Sequence, residues 1–155
     1  MLAVAAHREL FPAVRNGGIG LTDLDDERAA KLFVALEEAF RAEDESFETL
    51  CARIDDAALR ELVIRKVASG EFDMAQERAV ADGIRRIRQR VLRRKRELVS
   101  AEIRQLEKEK GDPARVRDLL AEKMHLDGEL ERLRAPASGA NQGSAGPART
   151  GAAGA

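Results

Sequence analysis

Apolar residues recur along this chain at helical spacing, and no segment shows the strict apolar–polar alternation of a half-buried strand. The longest pattern lies in the second half. No proline interrupts the 37 residues from Met74 to Lys110, enough for about 55 Å of helix at about 1.5 Å per residue. Asp73 stands where a cap would, with Gln76 three residues on, as in a capping box. At the far end, Gly111-Asp112-Pro113 offers a glycine to end one helix, an aspartate to cap the next and a proline for its first position. A second helix, Ala114 to Arg134, is expected to follow.

Stepped at 100° per residue, the first helix carries two apolar stripes. Val80, Ile84, Ile87, Val91 and Leu98 form one. Leu92, Val99, Ile103 and Leu106 form the other, rotated by about 100°. Folding the chain back at Asp112 sets Leu92 against Leu133, Val99 against Leu126 and Leu106 against Leu119. Each of those sets is spaced by sevens, the heptad of a coiled-coil seam. The second stripe therefore belongs to an antiparallel hairpin, with Val116, Leu119, Leu120, Leu126, Leu130 and Leu133 as its other wall. The first stripe must pack on the residues before Asp73. Two unrelated helices with chance heptads are the competing reading, but the turn chemistry supports the hairpin independently.

Upstream, the signals are for short helices. Leu2 to Glu9 can form one, and Leu10-Phe11-Pro12 can start another turn. Asn16 to Gly20 is glycine-rich and reads as a loop. Asp25 or Asp26 can cap a helix bearing Ala30, Leu32, Phe33, Leu36 and Phe40. Ser46 can cap a short helix with Phe47, Leu50 and Cys51. Asp55 or Asp56 can start one with Leu59, Leu62, Val63 and Val67, ended by Gly70. The expected fold is all-α: a helical bundle over 1–90 and a hairpin over 91–134, sharing the long helix 74–110. Residues 135–155 are almost entirely Ala, Gly, Ser and Pro, too poor in large apolar side chains to offset their ordering entropy, and are expected to be disordered.

Composition narrows the chemistry. Of 155 residues 35% are charged, with no Trp or Tyr and a net charge of −1. The charge is unevenly spread: Thr22 to Leu62 holds 13 acidic and 5 basic residues, whereas eight of the twelve residues from Arg85 to Arg96 are Arg or Lys. The lone Cys51 excludes an internal disulfide and reads as a small buried hydrophobe. His7 and His125 are far apart, with no Cys/His spacing for zinc. Asp23, Asp25 and Asp26 read as helix caps rather than a magnesium site. Gly17-Gly18-Ile19-Gly20 lacks the Lys-Ser/Thr of a phosphate loop. No catalytic triad, metal site or cofactor site is expected. No apolar run is long enough for a membrane span and no signal peptide is evident, so a cytoplasmic location is expected.

Two surfaces remain. The Arg-rich run lacks aromatics to stack bases and points all round its helix, so it reads first as a solvated, partly ion-paired surface. Nucleic-acid contact is the alternative. On the second helix, Met124, His125 and Gly128 fall outside the seam. A flexible apolar side chain beside a residue that permits close approach suits an adaptable contact, and Arg117, Ala121, Met124, His125 and Gly128 are the candidate partner-binding residues. A stray surface Met and a tolerated Gly are the competing reading.

The order of parts resembles the helicase-binding domain at the C-terminal end of bacterial DNA primase. LAVAAHREL (Leu2–Leu10) is similar to that domain's first helix and its His-Pro-Glu-Leu element, with Arg8 in the proline position. ARIDDAALRELVIRKVASGEFDMAQERAVADGIRRIRQR (Ala52–Arg90) is similar to the family's run into an Arg-rich segment. EIRQLEKEKGDPARVRDLLAEKMHLDGELERLR (Glu102–Arg134) is similar to its hairpin. The resemblance implies a non-enzymatic module that docks primase onto the N-terminal domain of the hexameric replicative helicase, coupling primer synthesis to unwinding. In that family, polymerisation belongs to zinc-binding and catalytic domains, which these residues are not expected to form. Many family members also stop soon after the hairpin, where this chain continues into the tail.

Overall fold

The computed structural model describes residues 1–44 and 46–134; the tail expected to be disordered lies outside them. Among the described residues the regular structure is entirely helical. Five short helices come first: α1 (Leu2–Ala6), α2 (Phe11–Asn16), α3 (Glu27–Arg41), α4 (Phe47–Ala52) and α5 (Ala57–Ala68). Single 3₁₀ turns at Arg8–Leu10 and Leu21–Asp23 join some of them. The long α6 (Gln76–Glu109) and α7 (Pro113–Arg134) follow as an antiparallel hairpin.

Polar side chains set the ends of the short helices. Asp26 accepts a hydrogen bond from the Ala29 amide at 2.7 Å, Ser46 from Thr49 at 3.1 Å and Asp56 from Leu59 at 3.0 Å. Each satisfies an amide that the first helical turn leaves without a backbone partner. Asp25, the other candidate cap for α3, instead turns to Arg90 and Arg94 of α6.

Apolar faces of all five short helices close over one core. Val4, Phe11, Val14, Leu32, Leu36, Leu50, Ile54, Leu59 and Val63 are buried there. Phe11 lies 5.5 Å from Phe33 and 5.7 Å from Phe40, ring centre to ring centre, in tilted arrangements. The first stripe of α6 completes this core with Val80, Ile84 and Ile87. Gly17 allows the approach: a β-carbon there would meet Ile84 Cγ2 at 2.7 Å. The His7 ring stitches α1 to the α5–α6 connection, its Nε2–H donating to the Phe72 carbonyl at 3.0 Å.

A second, separate core fills the hairpin. Val99, Ile103, Leu119 and Leu126 are buried, with Leu92, Leu106 and Val116 packed against them. Leu130 is buried and Leu133 half-buried nearby. Polar links hold the register: Gln89 donates to the Leu133 carbonyl at 3.0 Å, Arg96 lies 3.4 Å from Asp127, and Arg115 donates to Glu102 at 2.8 Å. One helix thus lines two cores, as its two stripes require.

Five details depart from the sequence expectations. Asp73 does not cap α6; the chain turns once more, and Ala75 leads into Gln76 from a left-handed conformation at φ 56°. At the other end the left-handed residue is Lys110, at φ 53°, rather than Gly111. Gly111 is needed for closeness instead, because a β-carbon would lie 2.8 Å from Leu106 Cδ2. Leu98, expected in the bundle stripe, is 64% exposed, since the bundle's grip on α6 ends before that turn. Leu120, expected on the seam, is 44% exposed, because Leu119 takes the seam and the next residue is rotated by about 100°. Cys51 is half-buried rather than buried, and desolvation pushes its thiol pKa up, away from reactive thiolate.

Candidate protein-docking surface

The seam fixes the orientation of α7. Asp112 Oδ1 accepts from the Ala114 amide at 2.9 Å, and Pro113 opens the helix with the φ it prefers. Leu119, Leu126 and Leu130 then point inward. Measured from Leu119, Met124, Arg117, Gly128, Ala121 and His125 fall between about 140° and 240° around the helix. All five are exposed, so they share the side turned away from α6.

Met124 is the most open of these apolar side chains, at 74% exposure, and Leu120 lies one turn before it. Residues four apart are neighbours on a helix surface, so the two form a small apolar ridge. Sequence periodicity assigns Leu120 to the seam and so misses it. A finer angular count finds it, since adjacent residues cannot both centre one stripe. A β-carbon at Gly128 would meet nothing within 4 Å, leaving the helix backbone open to a close partner.

Charged groups flank the ridge. His125 lies 3.9 Å from Glu129, and Lys123 donates to Asp127 at 2.9 Å. The Lys123 ammonium, with Arg96 behind it, holds the Asp127 carboxyl below the ordinary carboxylate range. Among the described residues Arg117 has no ion-pair partner and is available to one outside the chain. An apolar ridge with charges at its edge can bury aliphatic surface and choose orientation by charge. It has no nucleophile–base pair and no cleft to exclude water.

A groove of about 520 Å³ lies elsewhere, between α3 and the α4–α5 turn. It presents Lys31, Arg53, Glu38, Asp55 and Asp56. Hydrogen bonds from Lys31 to Glu27 and Asp56 raise its pKa, so its ammonium is held charged rather than poised as a base. No group of three or more His, Cys, Asp or Glu among the described residues could hold a metal ion. No described helix is long and apolar enough to cross a membrane.

The Arg-rich run divides into two halves. Arg90 donates to the Asp23 carbonyl at 2.8 Å and lies 3.0 Å from Asp25, which Arg94 also approaches at 3.7 Å. Arg85 pairs with Asp82 and Arg96 with Asp127. Arg86, Arg88, Arg93 and Lys95 have no carboxylate partner among the described residues.

Comparison with known proteins returns one match of note. The chain is 32% identical over 140 residues to a DNA primase of Treponema pallidum (strain Nichols), an alignment that takes in 86% of this chain. The chain spans only 22% of that relative's length. No family model matches the sequence, and no solved structure matches it.

Proposed function

We infer that this chain is the helicase-docking portion of a bacterial DNA primase. In this reading α7 binds the N-terminal domain of a hexameric replicative helicase, holding primer synthesis beside unwinding in the cytoplasm. The chain docks and does not polymerise. Residues 1–90 form the supporting bundle, residues 91–134 the presenting hairpin, and neither needs a cofactor.

The observation that carries the reading is the exposed Leu120–Met124 ridge, turned about 100–140° around α7 from its buried seam. An apolar ridge on a rigid rod is a feature that a docking partner explains and the chain's own packing does not. Similarity to a DNA primase supports the choice of partner system. Arg117, Ala121, Met124, His125 and Gly128 are the proposed contacts, with Leu120 added from the structure.

Surface plasmon resonance against the helicase N-terminal domain of the same organism tests it. Met124→Asp should weaken binding about tenfold or more while leaving helicity and melting unchanged, as expected for an apolar anchor near an interface centre. An affinity equal to that of the unsubstituted chain would remove Met124 from the interface.

A further inference from the structure

The guanidinium face of α6 has no role in the docking surface. Arg86, Arg90, Arg93 and Arg94 line an open groove of about 440 Å³, together with Gln89 and Glu97. They stand at helical offsets of four, seven and eight, so they share one side of the rod over about 12 Å of its length. Two of the four are tethered: Asp25 serves both Arg90 and Arg94. Arg86 and Arg93 have no partner among the described residues, and both are exposed. Packing therefore consumes only part of this charge. Clustering like charges on one helix side is unfavourable by itself, so an external anion is the natural complement.

We propose that this face is a binding site for the phosphate backbone of double-stranded nucleic acid. Charge complementarity selects the ligand. Guanidiniums grip phosphate oxygens through two parallel hydrogen bonds. The groove offers no apolar side chain between its cations, whereas an acidic polypeptide partner would ordinarily be anchored by buried apolar groups. It also offers no aromatic ring on which the bases of a single strand could stack. What remains is recognition by regularly spaced charge, and a duplex carries one negative charge per ~1.7 Å of axis. Such binding is independent of base sequence. It does not rest on the helicase reading, since the Leu120–Met124 ridge is on another helix.

The test is fluorescence anisotropy of a labelled random-sequence duplex titrated with the full chain, at salt concentrations from about 50 to about 200 mM. Saturable binding is expected, with a slope of log affinity against log salt between about −2 and −4. Arg86→Gln/Arg93→Gln should reduce that slope by about 2 and weaken binding about tenfold or more at the lowest salt. Its melting curve should match that of the unsubstituted chain. Arg28→Gln, at an exposed position of α3, should leave the slope unchanged. No binding at the lowest salt would overturn the proposal, as would a slope that the double substitution does not change. Tighter binding of polyglutamate, or of a single strand of the same length, would also overturn it and assign the face to that ligand instead.

Discussion

Individual residues in this chain are chosen as much for what they leave open as for what they fill. Gly17 is small because Ile84 of α6 crosses it; Gly17→Ala would drive a β-carbon to 2.7 Å from a branched side chain and within 3.3 Å of two carbonyl oxygens. It should cost about 1–3 kcal/mol in urea denaturation, and a variant of unchanged midpoint would show that the crossing is loose. Gly128 is the opposite case, a helix-interior glycine with open space around it. Gly128→Ala should raise stability by about 0.5–1 kcal/mol, because alanine loses less backbone entropy. Under the docking reading the same methyl should weaken helicase binding, so a variant that is both more stable and an equally tight binder would argue against close approach at that position. The sequence sets Gly17 in a glycine-rich loop and Gly128 inside a helix, but it does not show which of them has a neighbour. The closest contact at Gly17 is with Ile84, 67 residues away along the chain, so its tightness is set by tertiary packing. Similarly, Asp25 and Asp26 are equal candidates for one cap by sequence, and the tertiary pull of Arg90 decides which of them turns away.

The element that organises the rest is α6, and its two stripes are legible in the amino-acid sequence alone because a 3.6-residue period separates directions cleanly. The hairpin is legible for the same reason, with heptads on both helices and a turn of matching chemistry. What periodicity does not show is where each neighbour stops. Leu98 continues the bundle stripe in angle but extends beyond the bundle in length, and so lies exposed. Helix ends are likewise misplaced where a left-handed residue is not glycine, as at Ala75 and Lys110, since propensity argues against such positions and tertiary packing overrides it. Within the hairpin, Leu119 is 1% exposed and Leu126 6%. Leu119→Ala should cost about 2–5 kcal/mol and Leu126→Asp at least as much, by placing a charge in an apolar seam. A Leu126→Asp chain that melts like the parent would refute the seam. The hairpin and bundle should also share an acid limb. The Leu59 amide and then Lys31 hold Asp56 below its ordinary pKa, and Lys123 and then Arg96 do the same for Asp127. A carboxyl with a lowered folded pKa stabilises the native state above its unfolded value of about 4, and that contribution fades as pH falls through the folded value. Thermal midpoints should therefore be flat near neutrality and fall below about pH 4. Asp56→Asn/Asp127→Asn should shallow that fall, and an unaltered acid limb would show that these pairs are too solvent-screened to matter.

At the scale of the whole molecule, two apolar cores share one rod, the first closed by Val80, Ile84 and Ile87 and the second beginning at Leu92. The division at about residue 90 is proposed to be a division of labour as well, with the bundle as base and the hairpin as presenting arm. The proposed docking ridge and the basic face lie on different helices, so substitutions can address each separately. Composition and period alone make the fold readable, but not the partner, because an exposed Met on a helix has the same pattern whether or not anything covers it. Calorimetric titration of the chain into the purified N-terminal domain of the same organism's replicative helicase is the most direct test of the docking account. Saturable heat corresponding to about micromolar affinity or tighter is the predicted result. No heat, together with no co-elution of the two proteins, would contradict it.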